Sequence, residues 1–237
     1  MATYLYCIRN DPGAVPTDLI GLDGLRVRSI YATGLTAWVS DVVEVPVRST
    51  LERVKAHDAV CSAAMAAGET PLPIRFGQTF ADDGAAANAI AARRPVLRER
   101  LTRVAGCVEL RIVVSHGRDA DEPAALLGRQ PGDDPFDQTV AGRGTAFLRR
   151  LAREGRADLA REVSCEEVRH AVRAVAKELI VDQQRCEAAR GVSFFPVLVR
   201  RSDLDTCRSV IRMSLPSQGI EATLLGPFPP YSFAGDA

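Results

Sequence analysis

The stretch Cys107-Val108-Glu109-Leu110-Arg111-Ile112-Val113-Val114-Ser115 decides the fold of the second half of this 237-residue chain. Its apolar side chains stand at alternate positions, 108, 110, 112 and 114, and Glu109 and Arg111 lie between them. Successive side chains of a strand point to opposite faces. The pattern therefore predicts a strand whose apolar residues face one way and whose Glu109 and Arg111 face the other. We expect this strand to begin a second domain at residue 107.

Downstream of this strand, the chain reads strand, helices, strand, helix, strand. Helices are predicted over much of 138–190, a strand at 192–200, a helix at 202–215 and a last strand at 220–225. The helical faces are defined by Val168, Val172, Val175 and Leu179, and by Leu204, Cys207, Ile211 and Leu215. This order predicts a modified ferredoxin-like domain over 107–237. Residues 117–138 are rich in Gly, Pro and Asp, which is typical of a mobile loop.

Upstream, the pattern predicts an N-terminal α/β domain over 1–106 with a mainly antiparallel sheet. Strands are expected at 3–9, 25–32 and 35–43, the last two forming a hairpin through Thr33-Gly34. A helix is expected to begin at Ser49, capped with the help of Glu52, and its apolar stripe would be Leu51, Val54, Cys61 and Met65. A second helical region should open at Asp82 or Asp83, and Pro95 should restart it. The predicted fold class of the whole chain is thus α+β in two domains.

Two segments combine aromatic residues, prolines and glycine: residues 72–80, part of a strand predicted at 71–80, and residues 224–233. Such segments fix geometry or present an apolar surface. Arg75 could anchor a partner, or it could form an internal salt bridge or pack its stem along the sheet. The tail from Pro227 to Phe233 could dock on another protein or cover a sheet edge of its own domain.

Composition excludes several function classes. The formal net charge is zero, so no overall charge draws the chain to nucleic acid or anionic lipid. No apolar run approaches the roughly 20 residues of a membrane span, and the N-terminus has no signal-peptide pattern. The six cysteines contain no C-x-x-C pair and are expected to be reduced and buried. We expect a cytoplasmic protein.

The sequence offers no set of residues suited to catalysis. Its three histidines have no second His or Cys at metal-ligand spacing, and no Walker A loop, G-x-S-x-G or G-x-G-x-x-G motif occurs. We therefore predict no catalytic residue, no metal, no cofactor and no enzymatic activity.

Four blocks resemble the gas vesicle proteins GvpF and GvpL. They are the strand Tyr4-Leu5-Tyr6-Cys7-Ile8 with residues 21–24 and 34–40, then residues 72–80, then residues 142–150, and finally Gly226-Pro227-Phe228-Pro229-Pro230-Tyr231-Ser232-Phe233. Ala141 and Phe147 stand where the family usually has Pro and Tyr, and Phe228 where it usually has Trp. The blocks follow in the family's order over nearly the whole chain but do not distinguish GvpF from GvpL.

The resemblance implies a non-enzymatic accessory or minor structural protein of gas vesicle assembly. It would associate with the vesicle and bind the shell protein GvpA and other gas vesicle proteins, with no nucleic acid or membrane as partner. Candidate partner-binding residues lie in the two proline-rich segments: Arg75, Phe76, Gly77, Pro227, Phe228, Pro229, Pro230 and Tyr231. The alternative is a small-molecule-binding regulatory module built on the ferredoxin-like domain.

Overall fold

The computed structural model describes residues 1–10, 13–114, 165–189, 192–218, 220 and 222–235. These residues form two five-stranded antiparallel sheets with helices packed on them, so the α+β class is confirmed. The domain boundary between residues 106 and 107 stays a prediction. The expected loop at 117–138, the expected helices before residue 165 with a cap at Ser164, and the block 142–150 lie outside the described residues.

The N-terminal sheet has the strand order β2-β3-β1-β4, and β5 also pairs with β1. Its strands are β1 (Ala2–Arg9), β2 (Arg28–Ala32), β3 (Leu35–Val42), β4 (Leu72–Pro73) and β5 (Thr79–Phe80). The predicted hairpin joins β2 to β3, with positive φ angles of 50° at Thr33 and 82° at Gly34, as a two-residue hairpin turn requires.

The prediction of one continuous strand over residues 71–80 was wrong. Two separate two-residue strands pair with β1 at different points, and the chain turns between them. Gly77 has a φ of 93°, which an extended strand cannot contain. Its amide donates to the Tyr4 hydroxyl oxygen at 3.1 Å, which fixes the turn.

Strand β1 is buried on both faces. Leu5 and Ile8 pack with apolar residues of helices α2 (Asp83–Ala92) and α3 (Arg94–Val104). Tyr4 and Tyr6 pack on the other side against helix α1 (Leu51–Ala66). The register with β3 shifts between Leu5 and Cys7, and such a bulge changes which face the following residues occupy.

Helix α1 differs from its prediction at two points. The cap is Thr50, whose hydroxyl accepts from the Arg53 amide at 3.3 Å, and not Ser49. The predicted stripe was also wrong, because Leu51 is 70% and Val54 40% exposed. The buried positions begin one turn later and are His57, Val60, Cys61 and Ala64. The first turn of α1 therefore lies beyond the part of the helix that packs on the sheet.

Helices α2 and α3 follow the prediction. The Asp82 carboxylate caps α2 by accepting from the Ala85 amide at 2.7 Å. Pro95 stands in the first turn of α3, where its missing N–H is not needed. The apolar residues of α3 are buried as predicted: Leu97, Leu101 and Val104.

The C-terminal sheet has the strand order β10-β6-β9-β7, with β8 added beside β9. The strands are β6 (Cys107–Val114), β7 (Ile180–Gln183), β8 (Glu187–Ala189), β9 (Val192–Arg200) and β10 (Ala222–Phe228). Helix α4, residues 165–176, precedes β7, and helix α5 (Leu204–Ser217) joins β9 to β10. This order is that of a ferredoxin-like β-α-β-β-α-β unit.

Two expectations for this half are corrected. Helical structure ends at residue 176 and does not reach residue 190, because residues 180–189 are drawn into pairing with β9. Cys165 and Cys186 form a disulfide bond, so the six cysteines are not all reduced. The bond links Cys165 of α4 to the segment between β7 and β8.

The last described residues return to the N-terminal elements. After β10, a short 3-10 helix (Tyr231–Phe233) places Phe233 in the core formed by α2, α3 and the N-terminal sheet. Arg100 of α3 donates to the Ala234 carbonyl oxygen at 3.0 Å. Across the described residues, none of the helices is both long and apolar enough to cross a membrane.

Candidate functional site

A cleft of about 620 Å³ opens where the two halves of the chain meet. Helix α1 lines one side with Val54, Lys55, His57 and Asp58. Residues 73–76, the turn after β4, line a second side. The C-terminal half completes the wall with Arg111 of β6, Phe228 of β10, and Tyr231, Ala234 and Gly235 of the tail.

An aromatic cluster forms the wall beneath this cleft. It comprises Tyr4, Tyr6, His57, Phe76 and Tyr231, whose neighbouring ring centroids lie 4.8–6.3 Å apart. The Tyr4 hydroxyl and the His57 Nδ1 share a hydrogen bond of 2.9 Å. These ring packings, edge-on or tilted, are favourable, so strand β1, helix α1, the turn after β4 and the tail are held as one unit.

Tyr231 connects this cluster to the cleft surface. Its hydroxyl donates to the Asp58 carboxylate at 3.0 Å. Burial, followed by the nearby Cys61 thiol, raises the pKa of Tyr231 well above its ordinary value. The phenol therefore stays a protonated donor at all physiological pH values and holds Asp58 in place.

The cleft has more positive than negative side chains. Lys55, Arg75 and Arg111 line it, and Asp58 is the acidic residue among its lining. Arg75 is exposed, and it forms no ion pair within the described parts of the chain. The internal salt bridge considered for Arg75 is thus not seen there.

Glu109 holds the tail in position behind the cleft. Its side chain is 0% exposed, although the alternation of β6 puts it on the face opposite to the apolar residues of the strand. Its carboxylate accepts from the Ser232 amide at 2.8 Å, the Ser232 hydroxyl at 3.1 Å and the Arg111 Nε at 2.8 Å. A buried carboxylate requires such partners, and here the tail and Arg111 supply them.

The two proline-rich segments predicted as a partner-binding surface meet at this cleft. Arg75 and Phe76 stand on one side, and Phe228 and Tyr231 on the other. The remaining predicted residues do not line it. Gly77 makes the turn after β4, Pro227 is exposed on β10, and Pro229 and Pro230 are buried.

Of the two courses expected for the tail, docking on another protein stays a prediction. Its first residues, Pro227 and Phe228, end strand β10 beside β6, and the tail then leaves this sheet, so that Phe233 and Ala234 are buried against the N-terminal elements. Lys55, Asp58, Glu109 and Arg111 were missed as site residues. Only Glu109 and Arg111 carried a signal, two charges within a strongly apolar strand.

The cysteines do not suggest nucleophilic chemistry. Burial raises the pKa of the Cys61 thiol and raises the pKa of Cys207 to about 11, which disfavours the thiolate that would react. No group of three or more His, Cys, Asp or Glu side chains in the described ranges is placed to hold a metal ion.

A family model described as gas vesicle synthesis protein GvpL/GvpF matches residues 2–235. The chain belongs to this GvpL/GvpF family. Gas vesicle protein L2 of Halobacterium salinarum is 27% identical over 98% of this chain and 91% of its own length. Gas vesicle protein F of a Streptomyces species is 29% identical over 98% of this chain and 99% of its own. Relatives named L and F are thus similarly distant.

Solved structures of GvpF show the same fold. The crystal structure of GvpF from Anabaena superposes with a TM-score of 0.70 at 17% identity, covering 100% of this chain and 99% of that one. GvpF from Microcystis aeruginosa gives a TM-score of 0.68 at 16% identity, covering 98% of each chain. The GvpL/GvpF assignment and the two-sheet α+β fold therefore agree.

Proposed function

We propose that this chain is a cytoplasmic accessory protein of gas vesicle assembly that binds the shell protein GvpA and other gas vesicle proteins. It acts by binding, without catalysis, in association with the growing vesicle. One observation carries the proposal: Arg75 and Phe76 meet Phe228 and Tyr231, more than 150 positions later, around one open cleft. The two segments that carry the strongest family resemblance thus build one surface.

The physical need for such a protein follows from shell assembly. A small hydrophobic subunit that polymerises through apolar surface and open strand edges aggregates when these are free. A folded partner that covers apolar surface in a cleft keeps the subunit available for addition to the shell. Exposed apolar residues at the cleft, such as Val54, suit that contact.

The test is capture of the co-expressed shell protein by the tagged chain. Arg75→Glu and Phe228→Ser change the cleft surface without removing a fully buried side chain, and we expect each to reduce capture at least about tenfold, the effect of about 1.4 kcal/mol. Arg26→Glu, an exposed arginine outside the cleft, is the matched control. Equal capture by all variants would exclude the cleft as the contact. Deletion of residues 227–237 is unsuitable, because it removes the buried Phe233.

A small-molecule-binding regulatory module is the second candidate. The cleft volume of about 620 Å³ lies within the range of about 300–1,000 Å³ typical of ligand pockets. Native mass spectrometry of the purified chain tests this function. A bound small molecule lost from Arg75→Glu, with no capture of any gas vesicle protein, would favour it over the assembly role.

A further inference from the structure

We infer that the cleft selects a peptide segment in which an Asp or Glu stands close to an aromatic or aliphatic side chain. This inference rests on the proposed function, since it defines the chemistry of the partner segment. It follows from how the cations of the cleft are held and from the apolar surface beside them.

Arg111 is positioned before any ligand arrives. Its Nε is bound to the buried Glu109 carboxylate at 2.8 Å, and its guanidinium lies 5.3 Å from the centre of the Phe228 ring. A guanidinium has five N–H donors, and the other N–H groups of Arg111 have no partner in the described ranges. A fixed, planar set of free donors is suited to a carboxylate.

Lys55 and Arg75 add two further cations to the same lining. Neither forms an ion pair with any residue that the structure describes. The opposing charge in the lining is Asp58, which already accepts the Tyr231 hydroxyl. With the buried Glu109 that pairs with Arg111 counted as well, three cations stand against two carboxylates, so an acidic segment is attracted and a basic one is repelled.

The apolar requirement comes from the rest of the wall. Val54 is 40% exposed, and the Phe76 and Phe228 rings are half-buried at the cleft. A ligand with only negative charge would leave these surfaces in water. A neighbouring aliphatic or aromatic side chain covers them and adds hydrophobic free energy. The two features together define the ligand as acidic and apolar within a few residues.

The experiment is selection of a random dodecapeptide phage library on the immobilised full-length chain. Counter-selection on the Lys55→Glu/Arg75→Glu double variant keeps only peptides that need the cleft. We expect the enriched peptides to carry Asp or Glu within three positions of Phe, Leu, Ile or Val. The strongest peptide is then synthesised, and its Kd is measured by fluorescence anisotropy.

Binding of that peptide should weaken at least about tenfold when its acid becomes the amide, and equally in Arg111→Gln and Arg75→Gln. Arg26→Gln should bind as the wild type does. Enrichment of basic or uncharged peptides, or a Kd unaffected by the acid-to-amide change, would overturn the inference. Competition by a phosphorylated oligonucleotide but not by acidic peptides would do the same and would favour a nucleic-acid ligand.

The experiments distinguish a cleft that does not select acidic peptides from a protein that does not act in gas vesicle assembly. Capture of the shell protein without acidic peptide selection would refute this inference and leave the assembly role standing. Selection of acidic, apolar peptides without capture of any gas vesicle protein would support the chemistry of the cleft and refute the assembly role.

Discussion

At the scale of single residues, the burial of Glu109 is not predicted by the alternation of residues along its strand. Strand alternation puts it on the same side as Arg111, opposite to the apolar residues of β6. The structure buries Glu109 and leaves Arg111 half-exposed, because Ser232 of the tail approaches from the far end of the chain. A carboxylate is retained inside because three donors meet it.

Substitution of Glu109 tests this arrangement. Glu109→Ala leaves the partly buried Ser232 amide without an acceptor, and we expect a loss of about 3 kcal/mol in the free energy of unfolding. Glu109→Gln keeps an acceptor but loses the charge, so about half that loss is expected. Urea titration measures both. Glu99→Gln, on the exposed surface of α3, should change stability by less than about 0.5 kcal/mol; a comparable loss there would contradict the argument.

Gly226 is a position that no side chain can occupy without movement. Its φ is 113°, and an added Cβ would lie 2.8 Å from the backbone oxygen of Glu109. Gly24 also has positive φ, 74°, but its Cβ would meet nothing within 4 Å. We expect Gly24→Ala to cost about 1 kcal/mol from backbone strain alone. Thermal unfolding should show that Gly226→Ala lowers the free energy of unfolding by at least about 1 kcal/mol more than the control Gly24→Ala does.

At the scale of elements, helix ends decide how α1 and α2 attach to the N-terminal sheet. The Asp83 carboxylate at the start of α2 accepts from Thr3 of β1 at 2.6 Å and from Arg28 of β2 at 2.7 Å. The sequence predicted where α2 starts, whereas for α1 it chose Ser49, one position before the cap Thr50. It did not show that the start of α2 would bridge two strands.

The cap of α1 distinguishes two adjacent hydroxyls. Thr50→Ala removes the acceptor of the Arg53 amide, and we expect it to lower stability by about 1 kcal/mol. Ser49→Ala, the substitution that the sequence pattern would have chosen, should have almost no effect. Chemical denaturation followed by circular dichroism compares the two. A larger loss of stability in Ser49→Ala than in Thr50→Ala would show that Ser49 is the cap.

Acid sensitivity should depend on the Asp83–Arg28 contact. Hydrogen bonding to Arg28, the largest cause, lowers the pKa of Asp83 below its ordinary value. Its contribution to stability is therefore full above the unfolded-state pKa of about 3.9 and is lost as pH falls through the lowered folded-state pKa.

Arg28→Gln removes the cause of this shift. We expect the variant to be less stable at neutral pH and to lose less stability than the wild type between about pH 5 and pH 2. Urea unfolding at a series of pH values measures the slope. Arg26→Gln, an exposed neighbour, should keep the wild-type slope. If Arg28→Gln leaves the dependence of unfolding free energy on pH unchanged, the Asp83–Arg28 contact does not contribute to acid unfolding.

At the scale of the whole molecule, the tail joins the two sheets. Phe233 is 2% exposed within a core that includes Leu97 and Leu101. We expect Phe233→Ala to destabilise the protein by about 3–5 kcal/mol. The chain has one tryptophan, Trp38 of β3, which is fully buried in the N-terminal half. The fluorescence of Trp38 should therefore show a lower denaturant midpoint in this variant. An unchanged midpoint would mean that the tail does not stabilise the N-terminal half.

The sequence by itself determined the family, the α+β class and most element positions, because helices and strands are encoded by local apolar periods, caps and breakers. The interruption of residues 71–80, the end of helical structure at residue 176, the Cys165–Cys186 bond and the burial of Glu109 were decided only by tertiary structure. Each depends on a partner distant in the chain, and a local pattern carries no information about which distant group will arrive. The cleft is of the same kind: its two segments were recognised separately, but their meeting around Arg111 required the fold.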